Sequence, residues 1–243
     1  MDSLFADSEI NRPVREILPG VIHYPSWLST EQQDFLVKKF FEWGSDSRGI
    51  PPHQPEIFGH KMSVRLTSLG WHWADYRYTR QAAEFGGASP LPVPDWMVRL
   101  GRAALADCYS ENHASQWPRL GKGLTRWANS FTPDIALVNY YAPTAKMGMH
   151  QDKEERSDMP VVSLSIGDTA VFRAGNTLTK TAPYTDLLLA SGDLLVFGGP
   201  SRFMYHGVPK VLPGTAPQDC RLDQGRINIT LRETGLKDPQ AQR

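Results

Sequence analysis

The sequence predicts a mixed α+β chain that is mainly β in its C-terminal half. The expected architecture is a jelly roll or another double-sheet β fold, with helices packed on it from the front half. Three observations carry this. From Pro133 onward, short β-prone segments alternate with Gly/Pro turns. Two stretches of the front half repeat apolar residues at helical spacing. The segment Arg226–Arg232 (RINITLR) alternates polar and apolar residues without a break, which is the period of a strand.

Residues 1–20 read as an arm, followed by an extended piece at Val21–Tyr24. The first helix is expected from Ser29 to Trp43. Ser29 with Gln32, or Thr30 with Gln33, offers a capping box. Phe35, Leu36, Lys39/Phe40 and Trp43 follow at helical spacing, and Gly44 ends the run. Residues 44–60 are rich in Gly, Pro and polar residues and read as a loop. Lys61–Leu69 reads as a strand with Met62, Val64 and Leu66 on one face. An aromatic cluster follows: Trp71, Trp73, Tyr76 and Tyr78, interleaved with Arg77 and Arg80. It reads either as a hydrophobic cover on the core or as a stacking surface for unpaired bases. A second helix is expected at Pro94–Tyr109, with Trp96, Met97, Leu100, Ala104 and Cys108 as its apolar face. Residues 110–133 read as loop.

The strands of the second half are expected at Ile135–Tyr141, Met147–His150, Val161–Gly167, Ala170–Arg173, Thr185–Ala190, Asp193–Phe197, Phe203–Val208 and Arg226–Arg232. The net charge is zero and the pI about 7.1, which excludes a histone-like polyelectrolyte binder but allows a local basic groove. Lys61, Arg65, Arg77 and Arg80 are the candidates for one, with an ordinary solvated face as the alternative. Two cysteines, Cys108 and Cys220, are too few for a disulfide framework, so a reducing, cytoplasmic setting is expected. No signal peptide is read in the acidic N-terminus, and no apolar run approaches the roughly 18 residues of a membrane span.

The candidate site centres on His150-Gln151-Asp152, with His206 downstream. His150 and Asp152 share a face of an extended segment. Two imidazoles and one carboxylate form the facial ligand set that leaves positions open on iron(II). Taken alone, a His and an Asp two apart more often mark a turn or a solvated edge. The alternation of Arg226, Asn228, Thr230 and Arg232 adds weight. If that face points inward, two buried guanidiniums need an anion, and a dicarboxylate would satisfy them. The alternative is an edge strand whose polar face meets water. Asn139 and Tyr141 share a face by the same parity and offer an amide and a phenol to one cavity.

The runs NYYAPTAKMGMHQDKEE, PVVSLSIGDTAVFRAG, GDLLVFGGPSRFMYHGV and RINITLR resemble the AlkB family of Fe(II)/2-oxoglutarate dioxygenases, of the bacterial AlkB type. LFAD near the N-terminus and MSVRLTSLGW before the aromatic cluster fit the same pattern, so the likeness covers most of the chain. The resemblance implies a double-stranded β-helix core over residues 111–243. Residues 1–110 would supply an extension, helices and a nucleotide-recognition lid, with both parts forming one structural unit. It implies His150, Asp152 and His206 as the iron ligands. Arg226 would take the distal carboxylate of 2-oxoglutarate with Tyr141 and Asn228, and Arg232 and Asn139 would lie near the carboxylate that chelates iron. Trp71 and His150 would sandwich a flipped base, with Tyr76 and Tyr78 on the lid. Two departures are visible. Glu154 stands where the bacterial pattern has Asp, and the stretch between Trp71 and Tyr76 is shorter than the family's usual form.

The activity implied is oxidative demethylation of N-alkylated bases such as 1-methyladenine and 3-methylcytosine. It would use Fe(II), O2 and 2-oxoglutarate and release formaldehyde, succinate and CO2. The expected partner is alkylated DNA, single-stranded by preference because unstacking a base is then easier, with RNA as a second polymer. A monomer without membrane attachment is expected. Two rival readings are a 2-oxoglutarate dioxygenase for RNA, protein or a small molecule, and a non-catalytic jelly-roll binding module.

Overall fold

The computed structural model describes residues 12–57, 59–110 and 127–237. The LFAD run and most of the predicted 110–133 loop lie outside the described residues. Short strands β1 (Arg15–Leu18) and β2 (Val21–Tyr24) form a hairpin and lead into α1 (Thr30–Ser45). Ser29 caps α1 with the full capping box: its Oγ accepts from Gln32 N, and the Gln32 side chain accepts from Ser29 N. Leu36, Val37, Phe40 and Trp43 face the core, whereas Phe35 stays 42% exposed, edge-on to Trp96. The predicted 44–60 loop contains a two-residue strand, β3 (Glu56–Ile57), which pairs with β4 (His60–Lys61). The expected 61–69 strand therefore begins at Val64, as β5 (Val64–Leu69). A small hairpin follows, β6 (His72–Ala74) and β7 (Arg77–Thr79), and then α2 (Asp95–Tyr109), with Pro94 at the N-cap position and no side-chain cap.

After a short helix α3 (Trp127–Ser130), the second half supplies eight strands. They are β8 (Ile135–Tyr141), β9 (Met147–His150), β10 (Val161–Gly167), β11 (Thr169–Ala174), β12 (Thr185–Leu189), β13 (Leu194–Phe197), β14 (His206–Leu212) and β15 (Arg226–Arg232). The predicted strand at 203–208 needs correction. A 3-10 turn at Gly199–Ser201 and an irregular segment leave Phe203 exposed, and pairing starts at His206.

Two antiparallel sheets face each other. The larger runs β1-β2-β13-β10-β15-β8-β5 and the smaller β12-β11-β14-β9. Strands from the front half thus extend the larger sheet at both edges. Between the sheets lies a core that includes Val64, Phe172, Leu195, Phe197 and Val208. On the larger sheet's other face, Ile227, Ile229 and Leu231 pack with Leu36, Met97 and Leu105 of the helices. The larger sheet is therefore buried on both faces, and β15, hydrogen-bonded to β10 and β8, is central in it. That excludes the edge-strand reading of RINITLR: its polar face points into the sandwich. Among the described residues, no helix is long and apolar enough to cross a membrane.

Candidate metal and cosubstrate centre

The smaller sheet carries the histidines. His150 closes β9 and His206 opens β14, and the two are direct cross-strand partners. The pairing survives a register shift just beyond, at Gly207. A Cβ there would sit 2.8 Å from the Met147 carbonyl oxygen, so the close approach of the strands needs glycine. His150 Nδ1 lies 2.9 Å from the Gly148 carbonyl oxygen, and His206 Nδ1 lies 3.2 Å from that of Met204. A carbonyl only accepts, so both Nδ1 atoms carry the proton and both Nε2 lone pairs are free. Each Nε2 is 3.6 Å from an oxygen of Asp152, His150 from Oδ1 and His206 from Oδ2. One donor atom from each of the three side chains falls within 4.8 Å of the others. Two neutral imidazoles aimed at one carboxylate, each fixed through its far nitrogen, suit a first-row divalent metal.

The electrostatics hold these protonation states. Burial pushes the His206 imidazole down to about 4, against the opposing pull of Asp152. Burial alone would raise the Asp152 carboxyl, but Arg232, then His206, His150 and Arg202, hold it far below its ordinary value. Arg232 Nη2 sits 2.8 Å from Asp152 Oδ2 as an ion pair without hydrogen-bond alignment, so that oxygen keeps a lone pair for another partner. Arg232 also donates from Nη1 to Glu155 Oε1 at 3.0 Å. Despite its burial, the charges of Asp152, Tyr78 and Glu155 raise its pKa further.

The larger sheet supplies the opposite wall. Arg226 pairs with Tyr141 and Asn228 with Asn139 across the β15–β8 ladder. All four side chains line an inner cavity together with His150, His206 and Arg232. Arg226 is 1% exposed; its Nη2 donates to Ser165 Oγ at 3.0 Å, while Nε and Nη1 have no acceptor. Asn228 donates to Ser163 Oγ and the Leu164 carbonyl. A buried cation with two unanswered donors is costly unless an anion meets it. The distal carboxylate of 2-oxoglutarate fits that requirement, and the triad across the cavity fits the iron that the diacid's other end would chelate.

An outer cleft of about 310 Å³ opens above the triad. It shares Asn139, Met147, His150 and Arg232 with the inner cavity and is lined further by Met62, Trp73, Tyr76 and Glu154. The lid assignment needs correction here. Trp71 does not line the cleft: it is 3% exposed, its Nε1 donates to Asp134 Oδ2 at 3.0 Å, and the Arg80 guanidinium covers its ring at 3.7 Å. Gly70, at φ +83°, turns the chain hard against the Asp134 carbonyl and leaves Trp71 in the bend before β6, while Trp73, within β6, lines the cleft. Tyr76 lines the cleft, at the tip of a two-residue turn where Asp75 and Tyr76 both have positive φ. Tyr78 is turned inward instead. Its hydroxyl donates to Glu155 Oε1 and accepts from Arg232 Nη1. Arg80, spent on Trp71 and the Gly70 carbonyl, leaves the proposed basic group, whereas Lys61, Arg65 and Arg77 are exposed. Glu154 is half-buried, and burial, aided by Glu155 and Asp152, raises its pKa.

Sequence reasoning missed Glu155 and Arg202. Arg202 is 1% exposed, donates to the carbonyls of Met159 and Asp152, and pairs with Glu155 Oε2 at 3.4 Å. The two brace the segment after His150 from behind. Glu155 sat in the quoted KEE run and Arg202 in the SRFMYHGV run, but nothing local joined them.

Comparisons with known proteins agree with this geometry. The family described as "2OG-Fe(II) oxygenase superfamily", 2OG being 2-oxoglutarate, matches residues 20–232. The chain is 36% identical over 222 residues to the alpha-ketoglutarate-dependent dioxygenase AlkB homolog of Caulobacter vibrioides, covering 89% of this chain and 88% of that protein. It is 30% identical over 235 residues to the DNA N(6)-methyladenine demethylase ALKBH1D of Arabidopsis thaliana, covering 92% of this chain but 51% of the relative, so it spans about half the length of that protein. The solved structure of OsALKBH1 superposes with a TM-score of 0.78 at 30% identity, over 91% of this chain and all of that one.

Proposed function

Because the chain belongs to the AlkB family of 2OG-Fe(II) dioxygenases, we propose that it oxidatively removes N-linked methyl groups from nucleobases in alkylated DNA. The single observation that carries this is the stacking of two compartments on one triad. Below it lies a cavity with a buried, unanswered Arg226; above it lies a cleft with aromatics and a carboxylate.

His150 and His206 would hold iron(II) through Nε2 and Asp152 through its carboxylate. With 2-oxoglutarate and dioxygen bound, that centre supplies the oxidation of a methyl group, whose carbon leaves as formaldehyde while the diacid becomes succinate and CO2. The protein's own contribution is position and charge. Arg226 binds the distal carboxylate by its free N–H groups, with the Tyr141 hydroxyl beside it and Asn228 fixing the floor. Asn139 faces the end of the diacid nearer the metal. Arg232 keeps Asp152 ionised and aligned, and the unprotonated Nε2 atoms of the histidines stay available because Nδ1 holds the proton.

In the cleft, Trp73 and Tyr76 offer faces to a flipped base, and His150 forms the floor. Glu154 is placed to accept from an exocyclic amino group. A cationic lesion such as 1-methyladenine or 3-methylcytosine gains from both the aromatic face and the carboxylate. Single-stranded DNA is the favoured form, since no pairing is lost on flipping. Lys61, Arg65 and Arg77 meet the phosphates.

The test is formaldehyde and succinate release over a panel of DNA and RNA oligomers carrying 1-methyladenine, 3-methylcytosine or N6-methyladenine, with a methylated peptide as the rival. Turnover of the peptide alone would overturn the nucleic-acid reading. Absence of succinate with every substrate would favour a non-catalytic binding module.

A further inference from the structure

A second group of metal-ligating side chains lies away from the triad. His53, His72 and Glu84 bring one donor atom each within 4.8 Å of the others. His53 precedes β5 and bridges to Leu66. His72 opens β6, and Glu84 lies in the 3-10 turn at Ala83–Phe85. Their bonding is incomplete in a telling way. His53 Nδ1 donates to the Pro51 carbonyl at 3.1 Å, which leaves the lone pair on Nε2, and Nε2 is buried without a partner. His72 is 1% exposed; its Nε2 lies 2.7 Å from Glu84 Oε1, and its Nδ1 is buried without a partner. Burial lowers the pKa of His53, which favours the neutral imidazole that a metal needs. Buried polar groups are normally satisfied, so the orphaned His53 Nε2, in the same cluster as the His72 Nε2–Glu84 pair, calls for a missing partner.

We propose that His53, His72 and Glu84 form a zinc site that clips the substrate lid to the body of the protein. Two imidazoles and one carboxylate are a recurrent zinc set, with water completing the tetrahedron. The exposed side of Glu84 leaves room for that water. The ion takes the place of the proton on His72 Nε2, which moves to Nδ1, so that His72 binds as the neutral imidazole. The site joins three segments that already meet through the rings of His53, His72 and Phe85: the chain before β5, the base of the β6–β7 hairpin and the turn at 83–85. His72 is the immediate neighbour of Trp73, and the hairpin tip carries Tyr76, so the clip sets the stiffness of the cleft wall. Nothing here depends on the nucleic-acid reading.

The experiment separates the two sites. His150→Ala weakens the triad and leaves the clip, so this variant, loaded with zinc and gel-filtered, retains one zinc per chain. Adding His53→Gln or Glu84→Gln, both at partly solvent-exposed positions, weakens that zinc at least as much as losing an outer-shell partner does, up to about a hundredfold. In the His150→Ala protein, zinc also slows amide hydrogen exchange over residues 72–85. The proposal is overturned if the His150→Ala protein holds no zinc. It is equally overturned if the added His53 and Glu84 variants bind zinc as tightly as their parent, or if zinc leaves exchange over 72–85 unchanged.

Discussion

His150 and His206 face each other as cross-strand partners with ring centroids 4.4 Å apart, each imidazole anchored through Nδ1 to the carbonyl two residues before it. The carboxylate of Asp152 closes the triangle. Removing His150 should therefore abolish turnover and leave the fold nearly intact, since His150 is only half-buried. Asp152→Ala should also abolish turnover and in addition leave Arg232 with Glu155 as its remaining counter-ion, costing up to about 3–5 kcal/mol. Iron stoichiometry and thermal melts on both variants check this. Near-normal formaldehyde release from either would rule out the triad.

Arg226 is predicted to serve the diacid and to strain the empty protein. Replacing it with Met removes charge-assisted hydrogen bonds worth about 3 kcal/mol, so the 2-oxoglutarate requirement should rise about a hundredfold. Without cosubstrate the same variant should melt no lower than the parent, because a buried unanswered cation is gone. A cosubstrate titration and a melt on one sample read both effects; an unchanged requirement would mean another residue anchors the diacid.

Glu155 answers Arg232, Arg202 and Tyr78 at once. Glu155→Gln should cost about 3–5 kcal/mol, the usual consequence of breaking a buried ion pair from one side. Urea unfolding measures it. A loss within experimental error would show that the two arginines find other partners.

Trp71 and Trp73 are buried in one cluster, so the two should separate in KM rather than in stability. Trp73→Ala should raise KM for a methylated oligonucleotide by the factor that corresponds to about 1–3 kcal/mol of base stacking. Trp71→Ala should lose about 3–5 kcal/mol of stability, as a truncated buried indole does. The milder Trp71→Phe should leave KM unchanged, and a raised KM in that variant would return Trp71 to the cleft.

The metal-free protein should weaken in mild acid. His206 titrates near 4 when folded and near its ordinary value of 6.5 when unfolded. Between those values the unfolded chain binds the extra proton, so stability falls as pH drops from 6.5 towards 4 and levels off below. The contribution is about 3 kcal/mol at most. Denaturant melts of apoprotein across that window check the slope, and His206→Gln should flatten it.

Much of this site was legible because strand parity is local. A period of two puts Arg226, Asn228 and Arg232 on one face wherever the strand sits, and puts Asn139 with Tyr141. The spacing of His150 and Asp152 worked for the same reason. Trp71 lies in the bend between Gly70 and β6, which opens at His72, so a strand count from β5 does not reach it and does not relate it to Trp73. Glu155 and Arg202 were hidden for a different reason. Their meeting depends on the segment after His150 folding back onto the turn at 199–202, a tertiary event with no local signature. The strand start at His206 rather than Phe203 belongs to that same turn.

The two histidines of the triad and the proposed diacid anchor hang from different sheets. His150 and His206 belong to the smaller sheet and Arg226 to the larger, with Phe172, Phe197 and Val208 lining the space between. Facing sheets stand about 10 Å apart, a distance fixed by the side chains that interdigitate there. The fold therefore acts as a caliper on its cosubstrate. With Arg226 as the anchor, a five-carbon diacid would span the jaws and a four-carbon one would let go at one end, and trimming Phe172 would reset the gauge without touching a single ligand-binding atom.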